Sequence, residues 1–198
     1  NVLVVHKELG VRNLAEFVAL AKKKAGSVEF ASTGAGSASH LAGELFNQRA
    51  AIEMVHVPYK GGAPALQDLL GGRIASYFSA PPTAMPHIET GRLIPLATTG
   101  LARPAYLPDI PTVAESGYPG FEALNWYAFV APSKTPVAML DRWNQEIVKV
   151  LNDPGVKQSL NQHGLTPQPT TRAELTDFMR KEDAKWSAIV KERKITAD

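Results

Sequence analysis

One local unit constrains this chain more than any other feature: a short apolar strand that runs directly into small residues and then into a helix. Val28-Glu29-Phe30-Ala31-Ser32 reads as the strand and Thr33-Gly34-Ala35-Gly36-Ser37 as the turn. Leu41, Leu45 and Phe46 then fall at the three-to-four spacing of a helix face. The unit recurs in Met54 to Val57, Lys60-Gly61-Gly62 and Ala63 to Leu70. Ile74 to Phe78 begins it again, followed by a short helix from Pro81-Pro82 through Ile88, a stop at Gly91 and another strand, Leu93 to Thr98. Strands alternating with helices imply a parallel sheet with right-handed crossovers, so the expected class is α/β.

The flanks read differently. Asn1-Val2-Leu3-Val4-Val5 is already a strand-like run with no polar lead-in, as expected of a chain cut in the middle of a fold. Asn13 and Glu16 have the spacing of a capping box, and Leu14, Phe17, Val18 and Leu20 supply an apolar stripe behind them. Residues 101–123 are rich in proline, break the strand–helix rhythm and read as loop. Ala123 to Ala131 looks like a strand once more. Beyond it Thr135-Pro136, Asp153-Pro154 and the Thr171/Glu174 pair mark helix starts.

Composition removes several function classes. With 21 Lys and Arg against 19 Asp and Glu the net charge is only +2, so no nucleic-acid partner is expected from bulk charge. No apolar run approaches the ~18–20 residues of a membrane span. The absence of cysteine excludes disulfides, Cys-ligated zinc and thiol catalysis. His6, His56, His87 and His163 lack metal-ligand spacing, no Gly-x-Ser-x-Gly elbow surrounds any serine, and no Gly-Lys-Ser/Thr closes a phosphate loop. No metal, no cofactor and no catalytic residue is expected.

The best candidate site is Ser32-Thr33-Gly34-Ala35-Gly36-Ser37-Ala38-Ser39, between a strand and a helix. A helix N-terminus presents unpaired N–H groups and partial positive charge, and small residues let an anion approach the backbone. Ser32, Thr33, Ser37 and Ser39 add hydroxyls to those amides. In open α/β sheets ligands gather at the carboxyl ends of strands, which brings Tyr59 and Ser79 to the same rim. Gly34-x-Gly36 also begins a dinucleotide fingerprint, but Ser39 stands where its third glycine belongs and the next strand ends in Pro58-Tyr59-Lys60 rather than an acid. The alternative to a binding protein is therefore a doubly wound α/β enzyme holding a dinucleotide or phosphate at this loop. A third reading, the effector domain of a transcription regulator, lacks a basic recognition helix.

Three strings carry a resemblance: Ser32-Thr33-Gly34-Ala35-Gly36-Ser37 with His40-Leu41-Ala42-Gly43-Glu44; Val57-Pro58-Tyr59-Lys60-Gly61-Gly62-Ala63-Pro64-Ala65; and Leu107-Pro108-Asp109-Ile110-Pro111-Thr112-Val113-Ala114-Glu115-Ser116-Gly117 with Pro119-Gly120. Together they resemble the Bug (TctC-like) periplasmic receptors of tripartite tricarboxylate transporters, the third string being that family's most recognisable. The resemblance implies a type II periplasmic-binding-protein (Venus flytrap) fold, no catalysis, and a small organic carboxylate as ligand. The loop matching Thr33 to Ser37 would hold one carboxylate, and membrane transporter subunits would be the partners.

The resemblance also implies boundaries: residues 1–6 as a hinge strand and remnant of the first lobe, 7–123 as the ligand-binding second lobe, and 124–198 as a hinge strand with C-terminal helices of the first lobe. About the first hundred residues of the mature protein, the size of one ordinary domain, would have no counterpart here. Ser79-Ala80 replaces an Asp that acidic-amino-acid binders of the family often carry, which argues against an amino-acid ligand.

Overall fold

The computed structural model describes residues 1–23 and 26–196. Five strands form one sheet: β1 (Val2–His6), β2 (Glu29–Ser32), β3 (Val55–Pro58), β4 (Ser76–Ser79) and β5 (Leu93–Thr98), in the order β3-β2-β4-β1-β5. Helices α1 (Leu14–Lys23), α2 (Ala38–Ala50), α3 (Gly62–Leu70) and α4 (Pro81–Glu89) connect them. The α/β class and the parallel pairing of β2 with β3 and β4 follow the sequence expectation.

β1 departs from it by running antiparallel to both β4 and β5. Residues Val2–His6 thus supply an inner strand of this sheet. An alternating strand–helix pattern sets direction only for strands joined by crossovers. β1 is followed by a 3-10 turn at Lys7–Leu9 and α1, and its direction comes from neighbours far along the chain. Val2, Leu3, Val4 and Val5 are all buried, as a strand covered on both faces requires.

The two faces are filled by different chemistry. On one, Val2, Val4, Ala31 and Tyr77 pack with Ala65 and Leu69 of α3 and Ala84 of α4. On the other, aromatic rings interlock. Phe30 of β2 meets Phe78 of β4 edge-on at 6.4 Å, and Phe46 of α2 contacts Phe78, Phe121 and Phe17 at 5.8, 6.1 and 6.5 Å. Gly43 lets α2 approach this layer, because a Cβ there would lie 2.2 Å from the Phe30 ring.

The capping box before α1 forms, with Glu16 N–H donating to Asn13 Oδ1 at 2.9 Å and Glu16 Oε2 accepting from Arg12 N–H at 2.8 Å. The 107–117 string is a structural clasp. Thr98 and Thr112 form a parallel bridge, and Glu115 accepts from Thr112 N–H at 2.7 Å while its own N–H donates to Thr112 Oγ1 at 3.0 Å. Arg103 Nε donates to the same carboxylate at 3.0 Å.

The chain divides into two compact units: Asn1–Asn125 with the residues from Ala188 onward, and Trp126–Ser187. The second unit is helical, with α5 (Val137–Asn152), α6 (Pro154–Gln162) and most of α7 (Arg172–Glu192). Asp153 caps α6 by accepting from Val156 N–H at 3.0 Å. Thr171 and Glu174 exchange bonds at the start of α7, at 3.2 and 2.8 Å. The strand expected over 124–131 does not form. An apolar run becomes a strand only where another strand takes up its ladder, and Phe129 and Val130 instead stay 76% and 78% exposed. No described helix is long and apolar enough to cross a membrane.

The tight contact at Gly43 generates a prediction. Gly43→Ala forces a methyl into the buried Phe30 ring, an overpacking that costs about 1–3 kcal/mol. Its thermal unfolding midpoint is expected to fall clearly below that of the unsubstituted chain; an unchanged midpoint would show that the aromatic layer yields freely.

Candidate functional site

The carboxyl ends of β2, β3, β4 and β5 and the amino end of β1 lie along one edge of the sheet, because β1 runs against its neighbours. The edge is closed at one end by Thr99, whose hydroxyl donates to Ala123 O at 2.7 Å and Asn1 O at 3.1 Å. Toward the other end β2, beside the outer strand β3, opens into the glycine-rich turn.

The turn is built from short-range bonds. Gly34 and Gly36 have φ of +135° and +72°, conformations that a Cβ penalises, and these let the chain reverse between β2 and α2. Ser32 Oγ donates to Gly34 O at 3.0 Å and accepts from Gly34 N–H at 3.1 Å. Ser37 is the N-cap of α2; its hydroxyl donates to Gly34 O at 2.7 Å. Thr33 N–H donates to Ser39 Oγ at 3.0 Å, and Gly36 N–H donates to His40 Nδ1 at 3.0 Å.

These bonds decide which groups remain for a ligand. The amides of Gly36 and Ser37 are directed inward, to His40 and to Gly34 O. Among the described residues, the amides of Ala38 and Ser39 in the first turn of α2 have no acceptor, as helix geometry requires. The Ser37 proton is spent on Gly34 O, Ser39 Oγ lies 3.1 Å from Ser37 Oγ, and the Thr33 hydroxyl meets Ser39 only at 3.4 Å. Thr33 is exposed and Ser39 buried.

Neighbouring helix ends differ in what they offer. α3 begins at Gly61-Gly62, with free backbone approach and no side-chain cap. A Cβ at Gly62 would lie 3.4 Å from the Tyr77 hydroxyl and 3.9 Å from the Cγ2 atoms of Thr33 and Thr83, so the starts of α3 and of the turn are adjacent. α4 begins with Pro81-Pro82, which lack N–H groups. Of the expected site residues, Ser32 through Ser39 form one constellation. Ser79 reaches the same edge but is fully buried, with its hydroxyl on Ala80 O at 3.2 Å.

Tyr59 is turned to α3 and donates to Asp68 Oδ2 at 2.9 Å. Burial, then that carboxylate, pushes its pKa up to about 12, so it stays a protonated phenol. Asp68 in turn is held low by its hydrogen bond to Arg73. Sequence reasoning passed over Tyr77 and His56. Tyr77 hides in a run that reads as core, and His56 meets the turn only because β3 lies beside β2: its Nε2 is 2.6 Å from Ser32 Oγ.

The family model described as the tripartite tricarboxylate transporter family receptor, TctC, matches residues 1–195. The chain belongs to this family. Among curated TctC relatives, Protein BugT of Bordetella pertussis is 35% identical over 191 residues, covering 96% of this chain and 59% of BugT. Two solved structures share the fold. R. palustris Rpa4515 with adipate superposes at a TM-score of 0.92 with 31% identity, over 99% of this chain and 66% of that one. MatC from Rhodopseudomonas palustris with bound malate superposes at 0.80 with 26% identity, over 96% and 65%. The chain thus spans about 59% of the length of the curated relative. The matched family is thus one of transporter receptors rather than enzymes.

The histidine under the turn sets a pH dependence. Burial holds His40 below the ordinary imidazole value of 6.5, with Glu44 pulling the other way. A group with its folded pKa depressed takes up its proton more readily when unfolded, so its contribution is complete above pH 6.5 and is lost as pH falls through the folded value. Urea denaturation at about pH 7.5 and about pH 5.5 is expected to show the lower midpoint in acid. A higher midpoint in acid would mean that Glu44 outweighs burial.

Proposed function

We propose that this chain is the ligand-holding part of an extracytoplasmic, periplasmic receptor that captures a small di- or tricarboxylate for uptake through membrane subunits of the tripartite tricarboxylate type. The observation that carries the reading is the open first turn of α2: the amides of Ala38 and Ser39, flanked by the exposed Thr33 hydroxyl, with no lysine or arginine needed. Charge-assisted hydrogen bonds from such donors are worth roughly 1.5–3 kcal/mol each. The adjacent start of α3 adds a second helix dipole of the same sign. The TctC family match, and the adipate and malate in the neighbours' structures, support a carboxylate. In this reading residues 7–123 are the ligand-binding lobe, and 124–198 are the hinge and C-terminal helices of a two-lobed flytrap. Capture is then closure around an anion, with no bond made or broken.

Against a dinucleotide stands Ser39 itself, buried and bonded to Thr33 N–H where the fingerprint's third glycine would let the helix pack close to its strand.

A thermal-shift panel of adipate, malate, citrate, glutamate, phosphate and NAD separates these readings. A ligand at a hundred times its dissociation constant stabilises by about 2.7 kcal/mol, which is readily seen. Stabilisation by a di- or tricarboxylate without turnover is the expected result; a shift with NAD alone would overturn the receptor reading. Thr33→Val removes one exposed hydroxyl at nearly constant shape. Calorimetry is expected to show about tenfold weaker carboxylate binding, equivalent to about 1.4 kcal/mol, with the unfolding midpoint unchanged.

A further inference from the structure

Beneath the turn lies a polar stack that the receptor reading leaves unused. His40, in the first turn of α2, is 7% exposed. Its Nδ1 accepts Gly36 N–H at 3.0 Å and must therefore present a lone pair, which puts the proton of the neutral ring on Nε2. Nε2 faces Glu44 Oε1 at 3.8 Å, one helical turn along. The other Glu44 oxygen accepts from Arg193 Nε at 2.6 Å, and Arg193 also holds Glu53 at 3.0 Å. The His40 ring stacks on His56 with centroids 3.6 Å apart and planes 8° from parallel, and Phe30 flanks both rings. His56 Nε2 meets Ser32 Oγ, the hydroxyl that bonds both Gly34 N–H and Gly34 O. The paired imidazoles thus reach both arms of the turn, one at Gly34 and one at Gly36.

We propose that His40 is a positioning residue of the anion seat: its Nδ1 holds Gly36 N–H inward, so that the amides of Ala38 and Ser39 are the ones presented to a carboxylate, while Glu44, fixed by Arg193, orients the ring. The inference rests on the reading of the turn as a carboxylate seat. It has a built-in chemical consequence. A protonated His40 carries N–H on both ring nitrogens, and two donors cannot share the 3.0 Å gap between Gly36 and Nδ1. Protonation of this ring and the inward Gly36 amide exclude each other. The charged and titratable groups around the ring are Glu44 and, behind it, Arg193 and Glu53, with His56 on its face. Burial dominates among them and keeps the ring neutral at pH 7.

The test needs no ligand for its first arm. In ¹H–¹⁵N spectra of the full chain from about pH 8 to about pH 5, the Gly36 amide is expected to move with the same midpoint as the His40 ring carbons. In His40→Asn, whose side-chain carbonyl can accept the same N–H, the Gly36 titration disappears. The second arm uses adipate and malate by calorimetry: His40→Ala is expected to bind about tenfold more weakly or worse, and His40→Asn to stay within about threefold of the unsubstituted chain. A Gly36 amide that ignores the His40 titration would overturn the proposal, as would His40→Asn binding as poorly as His40→Ala. If the unsubstituted chain binds neither acid, the receptor reading fails for those acids, and the amide titration alone decides whether His40 holds Gly36.

Discussion

A strand covered on both faces must find hydrogen-bond partners on both edges, and β1 meets that demand by inserting between β4 and β5. From Val2 to Val5 the run offers no polar side chain to serve instead, so these backbone groups depend on those two neighbours. Because β1 enters against their direction, Val2 is paired with Ser79 and Thr98, at the edge where β4 and β5 end. Asn1, Thr99 and Ala123 are then stitched together there by bonds of 2.7 to 3.1 Å. The edge that carries the glycine-rich turn is therefore rigid at its far end, and the turn is placed by a sheet rather than by a loop.

Along that edge the helix ends differ in the donors they would offer the proposed anion, and the residues at their first turns set the difference. Pro81 and Pro82 strip α4 of the donors an anion needs. Gly61 and Gly62 leave those of α3 approachable, and Ser37 caps α2 while leaving the next two amides outward. The inward bonds of Gly36 and Ser37 make this a selection rather than a general positive field. Within a turn only a few residues long, some amides are consumed by the protein and others kept.

Much of this was legible before any coordinates. Val28 to Ser32 followed by glycines and a helix stripe marked both an element boundary and a site, because strand, turn and helix each have a short-range signature. Capping at Asn13, Asp153 and Thr171 was readable for the same reason. Other features depend on partners remote in sequence. The direction of β1 is set by β4 and β5, and the run at 124–131 looked strand-like only because its apolar residues match a pattern that needs a neighbour. The hydroxyl of Tyr59 bonds Asp68, nine residues on, a partner that no motif announces. The stacking of His40 on His56 needs β3 to lie beside β2, which no spacing in the sequence announces.

The string from Leu107 to Gly117 is the most recognisable in the chain, and its bonds run to its own backbone, to Arg103 and to the end of β5. It reports architecture. On the proposed reading, a change of preferred acid would act on the turn and on the groups facing it and leave the clasp untouched. Two chains that shared such a clasp would be alike in build, and the clasp by itself would say nothing of what either one holds.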